Sequence, residues 1–507
     1  MKRLIASAML CVPFVAAHAT TPLPPPLPVG CTINQYGRVA DGSTLWATTT
    51  QGIPAAQLPP FETNCLIDQF SYNNFLYLVG DDGTGHPRFM SLAPWYNLLP
   101  AKGVPVWPGQ YTPLDATELN KAINQSQAGD SFALLDVAEQ TTVYDLRVNK
   151  VFFDFVKTQK LYQQSVMNAM QTAFNANSYS GGVWFPPTSI SDSSMGVIEF
   201  KTAWRNFGSG DIHLCPSDIM HCEVDDRQRV WGLVGFHLVQ KTNTHGEMVW
   251  ASFEHIANAP DCSAGGSNGI AQFPADPVNA GQTINVNKLY EDGTQNSGWN
   301  YFDYGSYKAN GGDGKACSFP VQNGMPPTLC LTSPQGATPG TWQRVDVCRT
   351  DILVKPTTPC AALDKEHPNS EDIACLNAGV TAEAPSVWKY YKLIGMEWLS
   401  NGNTEGGAFP QGCFTFTDGD FGSSNCPNFG QHGESGSAPN YPRVGSTTMA
   451  NTTMETWMQA GTWLNADTNA TDCFGCHQPQ TIAQPATSTS PAFNQADMSH
   501  ILDRIAQ

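Results

Sequence analysis

The chain has 507 residues; Gly (45) and Pro (37) are abundant and charged residues make up only 14%, the profile of a turn-rich globular protein and not of a coiled coil or a charged disordered tail. With 26 Lys+Arg against 44 Asp+Glu the formal charge is −18, which argues against a nucleic-acid binder or a protein held on anionic lipid. Fifteen cysteines in this composition point to an oxidising compartment.

Residues 1–19 read as a secretory signal peptide. Lys2 and Arg3 precede an apolar run from Leu4 to Val15, and Ala17-His18-Ala19 is a small-x-small cleavage site. Leu10 before Cys11 excludes a lipoprotein signal, and removal of Lys2 and Arg3 takes the net charge from −18 to −20. No later segment reaches 18 consecutive apolar residues, so a transmembrane segment is not expected and the location is periplasmic or secreted. Residues 20–30 (TTPLPPPLPVG) form a Pro-rich leader, extended and peripheral.

Residues 31–180 are expected to be a mixed α/β region. From Cys31 to about Pro100 the pattern is one of short strands and turns, with a compact apolar run at Phe75–Val79 followed by Gly80-Asp81-Asp82-Gly83. Asp115 is placed to cap a helix over Thr117–Ser126, and Asn149–Phe174 carries Val151, Phe155, Leu161, Met167 and Phe174 at helical spacing.

Residues 181–445 read as an antiparallel β body, a sheet or barrel, with Cys-rich loops. In Val197–Trp204 the residues Ile198, Phe200, Thr202 and Trp204 alternate with Val197, Glu199, Lys201 and Ala203. Trp231–Val239 is an apolar run interrupted by His237, Glu247–His255 alternates again, and Val387–Trp398 has β-rich composition. Residues 260–345, rich in Gly, Asn, Ser and Cys, read as long disulfide-pinned loops. Asp418-Gly419-Asp420 and Gly311-Gly312-Asp313-Gly314 are oxygen-rich stretches of the kind that hold Ca²⁺, but neither matches the EF-hand loop, and they read as turns.

Residues 446–507 are expected to be a small helical segment. Thr452-Thr453-Met454-Glu455 fits a capping box opening a helix over Thr453–Ala460, and Ala496–Ala506 is amphipathic through Met498, Ile501, Leu502 and Ile505. Between them lies Cys473-Phe474-Gly475-Cys476-His477, a Cys-x-x-Cys-His sequence. Two thiols at this spacing add to the vinyl groups of one haem, and the adjacent histidine becomes the proximal iron ligand. The rival readings are a Cys473–Cys476 disulfide, for which no βαβ unit provides the usual setting, and a zinc site, for which a second ligand pair is missing. Setting aside Cys11, Cys473 and Cys476 leaves twelve cysteines, an even number sufficient for six disulfides. Within them, Cys215 and Cys222 are expected to pair locally, with metal binding by His213, Cys215, His221 and Cys222 as the alternative.

Some sixty residues are too few to enclose a haem alone, so the C-terminal segment should pack against the sheet. A sixth iron ligand is then sought among Met454, Met458, Met498 and His255, with His237 and His500 as weaker candidates; each competes with ordinary core packing.

The runs Met449–Met458 (MANTTMETWM), Cys473–His477 and Asp497–Ile501 (DMSHI), with Trp231–Thr242 and Trp250–His255 (WASFEH) upstream, resemble a group of large, poorly characterised bacterial secreted proteins ending in a single c-type haem site. The resemblance covers the middle and C-terminal parts of the chain. It implies haem binding and electron transfer with a redox partner protein outside the cytoplasm, and it carries no catalytic residue. A narrower similarity is to the small haem–lysine cross-linked cytochromes that oxidise hydroxylamine, with Lys201 in the lysine's place; an exposed cross-strand pair of Lys201 with Glu199 is the ordinary alternative. Three readings follow: an exported mono-haem electron carrier, a haem enzyme with an open iron position, or a ligand-binding β protein with an accessory haem. Hydrolase, nucleotide-binding and zinc-protease motifs are absent from the sequence.

Overall fold

The computed structural model describes residues 64–122, 134–138, 140–169, 185–186, 196–241, 248–260, 299–302, 329–331, 345–347, 349, 369–383, 386–399, 443–446, 451–456, 473, 499 and 501–502. The signal peptide, the Pro-rich leader, the two Asp/Gly stretches, Cys476, His477, Met458, Met498 and His500 lie outside them.

The first described element is a helix where short strands are expected: α1 is Asn64–Val79 and takes in the whole Phe75–Val79 run. Its residues Ile67, Phe70, Tyr72, Phe75, Leu76, Leu78 and Val79 are all buried, so the apolar face is too broad to leave a helical period in the sequence. After β1 (Ala93–Pro94) and α2 (Trp95–Leu98), α3 spans Ala116–Ala122. Asp115 caps α3 as expected, its carboxylate accepting from the amides of Thr117 and Glu118. The strand β2 (Val143–Val148) leads into α4 (Lys150–Thr158), whose N-cap Asn149 accepts from Phe152 N at 3.1 Å. The expected long helix stops at Gln159 because Lys160 takes a left-handed conformation (φ 56), and helix resumes over 164–169.

The expected strands form β3 (Ile198–Ser209), β5 (Arg229–Gln240) and β6 (Val249–His255), with β4 (Cys222–Val224) between the first two. A small ladder, β7 (Leu329–Leu331) with β8 (Val345–Val347), stands apart from them. The helix α5 (Asn369–Glu383) precedes a 3-10 turn at Val387–Tyr390, so the expected strand starts later than its composition suggests, as β9 (Tyr391–Leu399). With β10 (Arg443–Gly445) the main sheet has, among the described residues, eight strands in the order β1-β2-β3-β5-β6-β9-β10, β4 pairing with β5. Every pairing is antiparallel. The fold is therefore α+β with a sheet that is open among the described residues, and β2 pairs with β3 across the expected boundary at 180/181.

Side chains alternate between the two sheet faces. One face sets Phe200, Phe236, Phe253, Leu393 and Met396 beneath α1 and α5. Phe75 of α1 lies over the rings of Phe236 and Phe253 at 5.0 and 4.6 Å, contacts that add about 1 kcal/mol each beyond the area buried. The other face meets two clusters. One contains Tyr144, Ala203, Val234 and Met454; the second contains Val148, Val239, Trp250, α4, Ile501 and Leu502, with Cys473 packed against it. The described residues 451–456, 473 and 501–502 of the C-terminal segment thus pack on the sheet, on the face opposite α1.

Candidate functional site

The register of the strands under the C-terminal segment places side chains in three rows. Tyr144, Ala203, Gly235, Glu254 and Lys392 form the first; Leu146, Lys201, His237, Ser252 and Gly395 the second; Val148, Glu199, Val239, Trp250 and Glu397 the third. The first and third rows are four residues apart along β2, β3, β5 and β6, about 13 Å, and five apart along β9, where a bulge shifts the register.

Residues 451–456 dock on the first row. Thr452 donates its amide and hydroxyl to Glu254 Oε2 at 2.7 and 2.9 Å, and the other oxygen of Glu254 pairs with Arg349, both groups being fully buried. Tyr144 donates its hydroxyl to the carbonyl of Thr453 at 2.7 Å. Asn451 Nδ2 donates to Ser252 Oγ and to the carbonyl of Phe253. Thr453 sits directly on Gly235, where any Cβ would lie 2.2 Å from its Oγ1. The expected capping box is displaced by one residue: Asn451, not Thr452, accepts from Thr453 N, and Glu455 reaches back to Asn451 N at 2.9 Å. Thr452 is spared from capping because Glu254 binds both its donors. Of the helix expected over Thr453–Ala460, residues 453–456 are described and form a turn, and the remainder lies outside the described residues.

The third row holds the next contacts of the segment. Cys473, a half-buried thiol, donates its amide to Glu397 Oε2 at 2.7 Å, and Ser499 Oγ donates to Glu199 Oε2 at 2.5 Å. Ser499 in turn accepts from Ile501 N. Glu199, expected to face solvent beside Lys201, is buried under Ser499 instead, while Lys201 stays half-buried with Nζ 5.6 Å from the centre of the Tyr144 ring.

The second row therefore lies between the two docked pieces, and His237 is at its centre. His237 Nε2 is buried and 2.9 Å from Glu455 Oε1, a salt-bridge distance off the line of a hydrogen bond. Nδ1 makes no hydrogen bond among the described residues.

The structure separates the remaining candidates. His255 follows Phe253 on its face of β6, its ring 5.0 Å from that of Tyr391, and both its nitrogens are engaged: Nδ1 accepts from Ala257 N, so Nε2 carries the proton and donates to the carbonyl of Ile219 at 2.9 Å. Burial lowers its pKa to about 4, outweighing the hydrogen bond to Ile219, so the ring is neutral at ordinary pH. Met454 is buried among Tyr144, Ala203 and Val234, in a different cluster from the one that receives Cys473.

Cys215 and Cys222 form the expected disulfide. Among the described residues no group of three or more His, Cys, Asp or Glu is gathered as for a metal ion. His221 bonds to Glu223 instead, and Tyr111 donates to the same carboxylate at 2.8 Å. Burial raises the pKa of Glu223, but these bonds outweigh it and hold the group ionised below the usual carboxylate range. Cys375 is also disulfide-bonded. No described helix is long and apolar enough to cross a membrane.

No protein-family model, no curated protein and no solved structure matches the chain.

Proposed function

We propose that the protein is an exported mono-haem c-type protein, periplasmic or secreted, which carries haem on Cys473 and Cys476 with His477 as proximal ligand and passes single electrons to and from a redox partner. The observation that carries this reading is the seat of Cys473. The first cysteine of the motif is fixed by its backbone to the buried carboxylate of Glu397 and packs beside Ile501 and Leu502, so the body supplies the wall that some sixty residues cannot build alone. A haem held there supplies a one-electron couple between ferrous and ferric iron. The chain's own residues exclude water through Val239, Trp250, Ile501 and Leu502, and Glu397 fixes the attachment backbone. The Cys215–Cys222 disulfide is in keeping with an oxidising compartment.

The engagement of His255 and Met454 elsewhere supports a second reading, a haem enzyme whose iron has an open position for a small molecule. Haem staining after denaturing electrophoresis tests the premise of both. Protein exported from a haem-c-maturing bacterium should retain the stain, and Cys473→Ala or Cys476→Ala should abolish it; colourless wild-type protein contradicts both readings. Between the two, a low-spin ferrous spectrum indifferent to CO supports electron transfer, and a high-spin ferrous iron that binds CO supports small-molecule chemistry.

A further inference from the structure

We infer that His221 is the centre of a binding site for a small aromatic hydroxyl compound of the phenol class, the hydroxyl donating to His221 Nδ1 while Glu223 orients the imidazole. The inference is independent of the haem reading. It starts from a carboxylate with both oxygens engaged. Glu223, 5% exposed, meets His221 Nε2 at 2.9 Å through Oε1 and accepts from the Tyr111 hydroxyl at 2.8 Å through Oε2. Because this carboxylate is ionised, Nε2 of His221 carries the proton and donates it. The lone pair then lies on Nδ1, which makes no hydrogen bond among the described residues, and the side chain is 15% exposed. A carboxylate that holds one imidazole nitrogen as donor makes the other the basic one.

The backbone and the ring of His221 are both fixed. Its amide donates to the Tyr391 hydroxyl at 3.0 Å, its carbonyl accepts from Leu233 N at 2.9 Å, and the next residue is Cys222 of the disulfide. The imidazole lies 5.0 Å from the Trp388 ring at 28°, with Phe89 edge-on at 5.9 Å. Beside the carboxylate, His86 stacks on Tyr111 at 3.6 Å and brings its own Nδ1 to 3.8 Å from Glu223 Oε1. Trp388, Tyr111 and His86 are each only partly buried, so aromatic surface open to solvent adjoins a basic nitrogen. A phenol matches both properties, its ring finding aromatic partners and its O–H the acceptor. Among the described residues these groups are not gathered as for a metal ion, which leaves Nδ1 to a hydrogen-bonding ligand. The titratable groups that face the His221–Glu223 pair among the described residues are His86, Tyr111 and Tyr391, and the charge of Arg147 acts on Tyr111.

The test is a ¹⁹F NMR titration of the whole exported protein with 4-fluorophenol from about pH 5 to about pH 8, the range over which an imidazole changes charge and a phenol does not. Wild type should bind saturably, and its affinity should fall at least about fivefold as pH drops through this range, because protonation of Nδ1 removes the acceptor. 4-Fluoroanisole, which has no hydroxyl proton, should bind at least about tenfold more weakly than the phenol. His221→Gln keeps a side-chain N–H for Glu223 but no imidazole, so it should lose the pH dependence, whereas His86→Gln should retain it. Glu223→Gln should move the fall in affinity to lower pH, since an imidazole without the neighbouring charge protonates less readily; loss of a merely structural contact would not shift the profile. Trp388→Leu should weaken binding roughly three- to tenfold and leave the profile in place. Absence of saturable binding by wild type, an affinity independent of pH, or equal binding of 4-fluoroanisole would overturn the assignment, and these wild-type measurements decide it even where a variant fails to fold. A wild-type pH profile in folded His221→Gln would overturn it as well.

Discussion

Replacing Gly235 by Ala puts a methyl group into the seat of residues 451–456. The new Cβ would lie 2.2 Å from Thr453 Oγ1 and 3.2 Å from the nearer atom of the Asn451 amide, so Thr453 must retreat by roughly 1 Å to restore ordinary contact. Overpacking of this kind costs about 1–3 kcal/mol. The retreat also stretches the bond from Tyr144 to the Thr453 carbonyl, now 2.7 Å, and the 2.8 Å bond from Thr453 Oγ1 to Asn451 Oδ1, each contributing about 1 kcal/mol. Gly235→Ala should therefore destabilise the protein by about 2–4 kcal/mol in urea unfolding followed by circular dichroism. Thr453→Ala alone should cost about 1 kcal/mol through its lost hydrogen bond, but in the Gly235→Ala background it should relieve the clash, giving a coupling of at least about 1 kcal/mol. Additive effects, or a Gly235→Ala protein within about 0.5 kcal/mol of wild type, would refute the packing of this turn on β5.

His255 gives a pH dependence with a defined sign. Its folded pKa is about 4, lowered by burial, against an unfolded value near 6.5, so the unfolded chain binds the extra proton between these values. Its contribution, about 3 kcal/mol, is complete above about pH 6.5 and is lost as pH falls towards 4; the stability profile of His255→Gln should be flatter than wild type across that window, and parallel profiles would exclude the effect. Replacing both Cys215 and Cys222 by Ser opens a short loop and should cost about 2 kcal/mol while haem retention persists; loss of the stain in a folded variant would show that this disulfide serves the attachment site.

The strands β3, β5 and β6 were legible because one or both of their faces are apolar and their alternation is regular. Other elements left weaker traces. α1 is buried nearly all round and shows no amphipathic period. β2 was obscured because Asp145 and Arg147 are charged yet buried, their pairing at 2.6 Å removing the polar signal's usual meaning. α5 was missed because its stretch Asn369–Glu383 holds Ser, Asn, Gly and Thr that disfavour a helix, while Asp372–Leu376 is buried by packing against α1 and β9.

The site was partly legible for a related reason. Alternation along β6 puts His255 on the face of Val249, Ala251 and Phe253, where its ring meets Tyr391, but it carries no information on which face residues 451–456 and 473 cover. That depends on Glu254, Glu199 and Glu397 meeting Thr452, Ser499 and Cys473 across some 200, 300 and 76 residues of chain. His237, the polar residue interrupting the apolar run of β5, and Glu455, the last residue of the capping-box sequence, were both visible in the sequence, but their approach to 2.9 Å was not.

The central claim, one haem fixed covalently to this chain, is tested most directly by the intact mass of protein exported from a haem-c-maturing bacterium and measured under denaturing conditions. The expected mass is that of the processed polypeptide plus one haem, with the added mass on the peptide containing Cys473 and Cys476. A mass equal to the polypeptide alone, with Cys473 and Cys476 as thiols or joined to each other, would contradict it.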